Sequence, residues 1–257
     1  MNRIQKLLSS KNTKLLSIYF TAGFPELKNT ADICRALEEA GADLIEVGIP
    51  FSDPVADGET IQKSNQRALE NGMTLNILFE QLAVARKSCK LPIILMGYFN
   101  PVMQYGLDRF CQKCKELEID GTIIPDLPID LYLEKYKAVF EENDLSNIFL
   151  ITPQTGDQRI KYVDENSNSF IYAVSSAAVT GGAIQMDDRK AYLQHLLSLK
   201  LKNPLLVGFG VSNNGDFEEI CKYANGAIIG SAFIRALSTG ASGDIEKTVS
   251  DFIRAIR

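Results

Sequence analysis

The chain of 257 residues contains one histidine, five cysteines and no long apolar run. His195 falls in a helical stretch, which excludes a His-ligated metal centre and a His general base in a strand loop. Cys34, Cys89, Cys111, Cys114 and Cys221 are an odd number without framework spacing, as expected of a reducing cytoplasm. Cys111 and Cys114 form a C-x-x-C inside a helical pattern, with no second pair and no nearby histidine to complete a zinc site. No segment approaches the ~20 apolar residues that span a bilayer. No basic run stands out and the net charge is −5, so a nucleic-acid partner, which calls for a basic face, is not expected. Strand ends carry no lysine, which argues against Schiff-base chemistry.

What is present is a repeating pattern. Apolar runs of strand character recur at 16–20, 44–47, 93–96, 121–124, 148–152, 170–174, 205–207 and 227–229. Amphipathic helical stretches lie between most of them, at 30–40, 75–88, 107–117, 130–143 and 216–223, and a last one covers 245–256. Eight strands alternating with helices predict one (β/α)8 TIM barrel domain over 1–257. An open doubly wound sheet would want a glycine-rich turn after the first strand, and Thr21-Ala-Gly-Phe-Pro25 does not supply one. The basic start, with no acid before Glu26, has the composition of a transit peptide. Ile4, Leu7 and Leu8, however, share one helical face and predict a short packing helix. Residues 58–72 predict a further short helix, which makes the second βα loop an elaborated one.

The segment Leu44-Ile-Glu-Val-Gly-Ile-Pro-Phe-Ser-Asp-Pro-Val-Ala-Asp-Gly58 places a carboxylate inside a strand and two more in the loop beyond. Strand side chains alternate faces. Ile45, Val47 and Ile49 suit the helix side, which points Glu46 into the barrel mouth. A buried Lys or Arg could instead neutralise it, but the strand runs hold none. A carboxyl in an apolar mouth has a raised pKa, as proton shuttling near neutral pH requires. Asp57 reads equally as a site acid or as a helix N-cap. Asp126 reads better as a loop cap than as a third acid. Thr180-Gly-Gly182, Gly208-Phe-Gly210 and Gly230-Ser231 follow the last three strands, the last opening a helix. Backbone N–H groups there make an anion cradle. Tyr19, Tyr98, Phe99, Tyr172 and Phe209 would line a flat apolar mouth between acid and anion site.

This combination resembles the alpha subunits of tryptophan synthase over essentially the whole length. The 44–58 segment is its most specific motif, supported by Met96-Gly-Tyr-Phe-Asn-Pro101, Pro125-Asp-Leu-Pro128, Val179-Thr-Gly181, Gly208-Phe-Gly210 and Gly230-Ser231. The resemblance implies cleavage of indole-3-glycerol phosphate to indole and glyceraldehyde 3-phosphate, without cofactor or metal. It implies Glu46 as the general acid–base at the indole ring carbon and Asp57 as the partner of the indole N–H. Tyr172 would lie near Glu46, with Tyr19, Met96 and Ile151 lining the indole pocket. Gly181, Gly210, Gly230 and Ser231 would hold the phosphate, and Thr180 would meet Asp57 when the loop after the sixth strand closes. Asp53, Pro54, Asn100 and Pro128 fall in loops resembling the interface with a pyridoxal-phosphate beta subunit, in an expected alpha2beta2 assembly. No pyridoxal phosphate site is expected on this chain. Glu59, Ser176 and Ala178 depart from the residues common at those positions, which leaves the reaction expected and lid dynamics open.

Two other readings fit parts of the pattern. A different phosphate-barrel enzyme, an isomerase or the synthase that closes the indole ring, would keep the glycine loops, but ring closure would want a basic strand-end residue. A non-catalytic phosphate-ligand sensor or scaffold subunit would need no acid at Glu46.

Overall fold

The computed structural model describes residues 1–174, 186–208, 210–240 and 244–257. Nine strands form one sheet: β1 (Leu15–Thr21), β2 (Leu44–Gly48), β3 (Ile93–Met96), β4 (Gly121–Ile123), β5 (Ser146–Ile148), β6 (Leu150–Ile151), β7 (Ile171–Val174), β8 (Leu205–Gly208) and β9 (Gly226–Ile229). Their order is β5-β4-β3-β2-β1-β9-β8-β7-β6, and every pair is parallel. The sheet's two edges, β5 and β6, are separated in the chain by Phe149 alone, so the sheet closes on itself as a (β/α)8 barrel. The single strand expected at 148–152 is thus two short pieces. The first piece pairs with β4 and the second with β7, and between them Phe149 packs its ring outward on Tyr132, centroids 5.4 Å apart. Its carbonyl still accepts the Tyr172 N–H at 3.0 Å.

Side-chain alternation sorts the strand residues into two cores. Leu15, Leu44, Ile94, Ile123, Ile148, Leu206 and Ile228 pack inside the barrel. Ile18, Phe20, Ile45, Val47, Leu95 and Val207 pack between barrel and helices. Apolar residues on both faces are what a parallel sheet covered by helices demands.

The helix Arg3–Ser10 closes the bottom. Asn2 and Gln5 form its capping box, and Ile4 is fully buried in the inner core with Leu7 and Leu8 against it. Asp120 holds this end by accepting the backbone N–H groups of Arg3 and Ile93 and pairing with the buried Arg86 at 3.0 Å.

The helices Thr30–Ala40 and Ile245–Ile256 occupy the stretches that periodicity indicates. The stretch 130–143 is not uniform: Ile129–Leu131 runs into a π-helical turn, Tyr132–Tyr136, before Lys137–Glu142. Tyr132 there meets Phe140 and Phe149 edge-on.

Candidate active site

The C-terminal end of the barrel opens into a cavity of about 750 Å³. Of the residues expected at the site, Tyr19, Asp57, Met96, Tyr172, Gly210, Gly230 and Ser231 line it. Glu46, Tyr98 and Ile151 do not; they stand behind its wall. Thr180, Gly181 and Phe209, with Ser176 and Ala178, lie outside the described residues.

Glu46 differs from the expectation that it faces the mouth. It is fully buried, and its Oε1 accepts a 2.7 Å hydrogen bond from Ser17 Oγ. Ser17 pairs in register with Leu44, so the carboxyl is drawn down the barrel, one residue pair below the mouth. Above it Tyr19 leans across β2. A Cβ at Gly48 would stand 2.3 Å from the Tyr19 hydroxyl oxygen, and one at Gly208 would stand 2.2 Å from that of Tyr172. Glycine at these two strand ends is what leaves room for both rings. No Lys or Arg neutralises Glu46 among the described residues, and its Oε2 has no hydrogen-bond partner there. Burial without a counter-ion raises its pKa to about 7, with the Ser17 bond pulling the other way. At neutral pH the group therefore exists in both protonation states.

Asp57 does not cap a helix through its carboxylate. Gly58 is the N-cap of Glu59–Glu70 and no side chain caps it. The Asp57 carboxyl instead turns inward, where Asn65 Nδ2 approaches it at 3.5 Å. Burial raises its pKa to about 6, opposed by hydrogen bonds from Tyr98 and Asn65. Tyr98 also accepts the Ala56 N–H at 2.8 Å and packs on Phe51. It acts as a post that holds the Asp57 loop, not as a cavity wall. Asp126 is a cap: its Oδ1 accepts the Phe99 N–H at 2.9 Å, at the start of the helix Phe99–Tyr105.

At the far end of the cavity, Gly230 is the N-cap of the helix Ser231–Thr239. Its first-turn N–H groups lack helical acceptors and face anions favourably. Gly210 joins them with φ +71°, a left-handed conformation that favours glycine. Neutral small residues and unpaired first-turn N–H groups thus share the cavity with the Asp57 carboxyl, while Glu46 lies buried behind the wall.

Three contributors were not foreseen. Ser17 is the partner of Glu46, Asn65 that of Asp57, and Arg235 lines the cavity rim. A polar residue on the inward face of the neighbouring strand was the available signal for Ser17. Asn65, on the buried face of its helix with Ile61, Ser64 and Ala68, left only a weak one. Asp53, Asn100 and Pro128 are exposed and Pro54 is partly so; Asn100 lies not in a loop, as expected, but in the first turn of the helix Phe99–Tyr105. Glu59 is exposed and pairs with Lys63 at 2.6 Å. The Cys111 and Cys114 thiols are buried and unpaired. Among the described residues no group of three His, Cys, Asp or Glu side chains could hold a metal. His195 pairs on the surface with Asp157 at 2.8 Å. Among the described residues no helix is long and apolar enough to cross a membrane.

A closed parallel barrel with uncompensated carboxyls beneath its C-terminal mouth and a helix N-terminus across the cavity defines a class: a barrel enzyme of the acid–base type. Known proteins narrow the class. The family profile for the tryptophan synthase alpha chain matches residues 5–255, and the chain belongs to that family. The tryptophan synthase alpha chain of Flavobacterium johnsoniae is 56% identical over 253 residues, covering 98% of this chain and 99% of its own. That of Phocaeicola vulgatus is 50% identical over the full length of both. The crystal structure of the alpha chain from Legionella pneumophila superposes with a TM-score of 0.88 at 33% identity, covering 100% of this chain and 96% of that one. A chain of the tryptophan synthase complex from Pyrococcus furiosus superposes at 0.86 with 32% identity, covering 96% and 98%.

Proposed function

We propose that the chain cleaves indole-3-glycerol phosphate to indole and glyceraldehyde 3-phosphate, working beside a beta subunit in the cytoplasm as one barrel domain spanning 1–257. The observation that carries this reading is the pairing of a neutral-range buried acid, Glu46, with a second raised carboxyl, Asp57, at one end of a cavity whose other end is built for an anion. The cleavage is a retro-aldol reaction. A proton is added to the indole ring carbon that bears the glycerol chain, and the ring becomes a cation. A proton then leaves the hydroxyl on the adjacent carbon, the carbon–carbon bond breaks, and its electron pair restores the indole. One proton enters and one leaves, so no net acid or base is consumed.

Glu46 serves as the acid and, as the carboxylate left behind, as the base that takes the hydroxyl proton. To reach the substrate its carboxyl releases Ser17 and turns up between Tyr19 and Tyr172. Its raised pKa makes the protonated form available at neutral pH, and proton transfer of this kind contributes ~10²–10⁴-fold. Asp57 accepts the indole N–H and, as a carboxylate, stabilises the ring cation. Gly181, Gly210, Gly230 and Ser231 hold the phosphate, and Thr180 meets Asp57. Tyr19, Met96, Tyr172, Ile151 and Phe209 surround the indole or back its pocket. Asp53, Pro54, Asn100 and Pro128 face the beta subunit.

The test is indole release from indole-3-glycerol phosphate by the chain with a beta subunit present. Indole formation that vanishes in Glu46→Gln supports the reading, and near-normal turnover in that variant sinks it.

A further inference from the structure

The cavity rim carries a charge that the proposed chemistry has not used. Among the described residues lining the cavity, Arg235 is the one Lys or Arg. It sits on the helix Ser231–Thr239, four residues after Ser231, so both side chains share one helix face. Its guanidinium is exposed, and Nη1 approaches Thr60 Oγ1 at 3.5 Å. Unlike Arg3, Arg35, Arg86, Arg159 and Arg257, it pairs with no carboxylate among the described residues. Thr60 lies in the first turn of the helix that follows Asp57. A long cation thus spans the gap between the helix at the anion end and the helix behind the acid loop, held by one weak contact with a neutral hydroxyl.

We propose that Arg235 is a specificity-determining residue that selects for the phosphate end of the substrate. Its guanidinium leaves Thr60 and swings over the mouth of the Gly230–Ser231 cradle to meet a phosphomonoester dianion. The backbone N–H groups fix the phosphate's position, and Arg235 supplies the charge that prefers a dianion over an uncharged hydroxyl. A flexible, weakly tethered guanidinium suits this, because releasing Thr60 costs little and a charge-assisted hydrogen bond to phosphate is strong. The proposal rests on the phosphate site assigned above.

The experiment compares the parent with R235Q and R235K, each assembled with the beta subunit. Calorimetric titration with glycerol 3-phosphate and with inorganic phosphate is run at low and moderate salt, alongside steady-state indole release. R235Q keeps a hydrogen-bonding side chain near Thr60 but removes the charge. It is expected to weaken both probes about tenfold, the scale of one charge-assisted hydrogen bond. It also raises KM by a similar factor with kcat within about twofold, and flattens the salt dependence. R235K recovers most of the affinity. Phosphate affinity and KM in R235Q within twofold of the parent, or a loss confined to kcat, overturns the proposal, as does a parent that binds neither probe. A parent that binds both probes yet releases no indole defeats the proposed reaction instead, and the Arg235 assignment is then read from the titrations alone.

Discussion

Among the single residues, Glu46 stands out as a carboxyl group that the fold buries without a counter-ion among the described residues. Because Glu46 binds protons more readily folded than unfolded, it favours the native state at low pH. That advantage is full below its ordinary pKa of 4.5 and is lost as pH rises to about 7. The whole effect is of order 3 kcal/mol. Asp57 adds the same sign between 3.8 and about 6. Glu46→Gln should therefore lose less stability than the parent between pH 5 and pH 8, read by urea unfolding at each pH; an equal loss in both proteins refutes the burial argument. The Ser17 hydrogen bond holds the Glu46 pKa down, so Ser17→Ala should raise it. The limb of the pH–rate profile that reports loss of the protonated acid should then move to higher pH, and an unmoved limb contradicts the contact. Glu46 was legible in the sequence because an acid in an apolar strand is conspicuous. Its direction was not, since Ser17 lies 29 residues away and only the β1–β2 register brings the two together. Asp57 was legible as an acid but not as to role, because an N-cap and a site acid share the same local spacing; Tyr98 and Asn65, from outside the loop, decide its orientation.

At the scale of elements, the strands read well where both faces are apolar and badly where a single residue breaks the ladder. β3 spans the residues the pattern marked, since Ile93–Met96 packs inward and outward by simple alternation. The split at Phe149 was hidden because it depends on pairing with two different strands, β4 for one piece and β7 for the other. The π-turn at Tyr132–Tyr136 was equally hidden behind a helical periodicity that it barely disturbs. Gly208 looked like part of an anion loop and instead ends β8 beneath Tyr172. Gly208→Ala should push the Tyr172 ring off its site and cost about 1–3 kcal/mol by overpacking, with a matching fall in activity. A crystal structure of the variant with Tyr172 in place would contradict this. The bottom helix offers a contrasting test. Ile4→Ala should cost about 2–5 kcal/mol of stability and leave kcat unchanged, as measured by urea unfolding and indole release. A large fall in kcat would show that the two ends of the barrel are coupled.

For the whole molecule, the barrel separates duties by end. The N-terminal end is closed by Arg3–Ser10 and the Asp120–Arg86 pair. The C-terminal end carries the cavity, the acids and the exposed loops that the proposal gives to a beta subunit. The architecture was legible because eight apolar runs at near-regular spacing leave few other ways to bury a parallel sheet. Cavity lining was legible in part: seven residues named from the sequence meet there, while Glu46, Tyr98 and Ile151 sit behind the wall. Met103, exposed at 46% beside the Asn100 surface, should matter only to assembly. Met103→Lys should weaken beta-subunit binding in a titration while the isolated chain keeps its indole release. The most direct test of the central claim pairs two readings on Glu46→Gln, indole release from indole-3-glycerol phosphate and calorimetric binding of glycerol 3-phosphate. Turnover should fall by at least ~10²-fold with phosphate affinity retained, and turnover within a few-fold of the parent would contradict the role of Glu46.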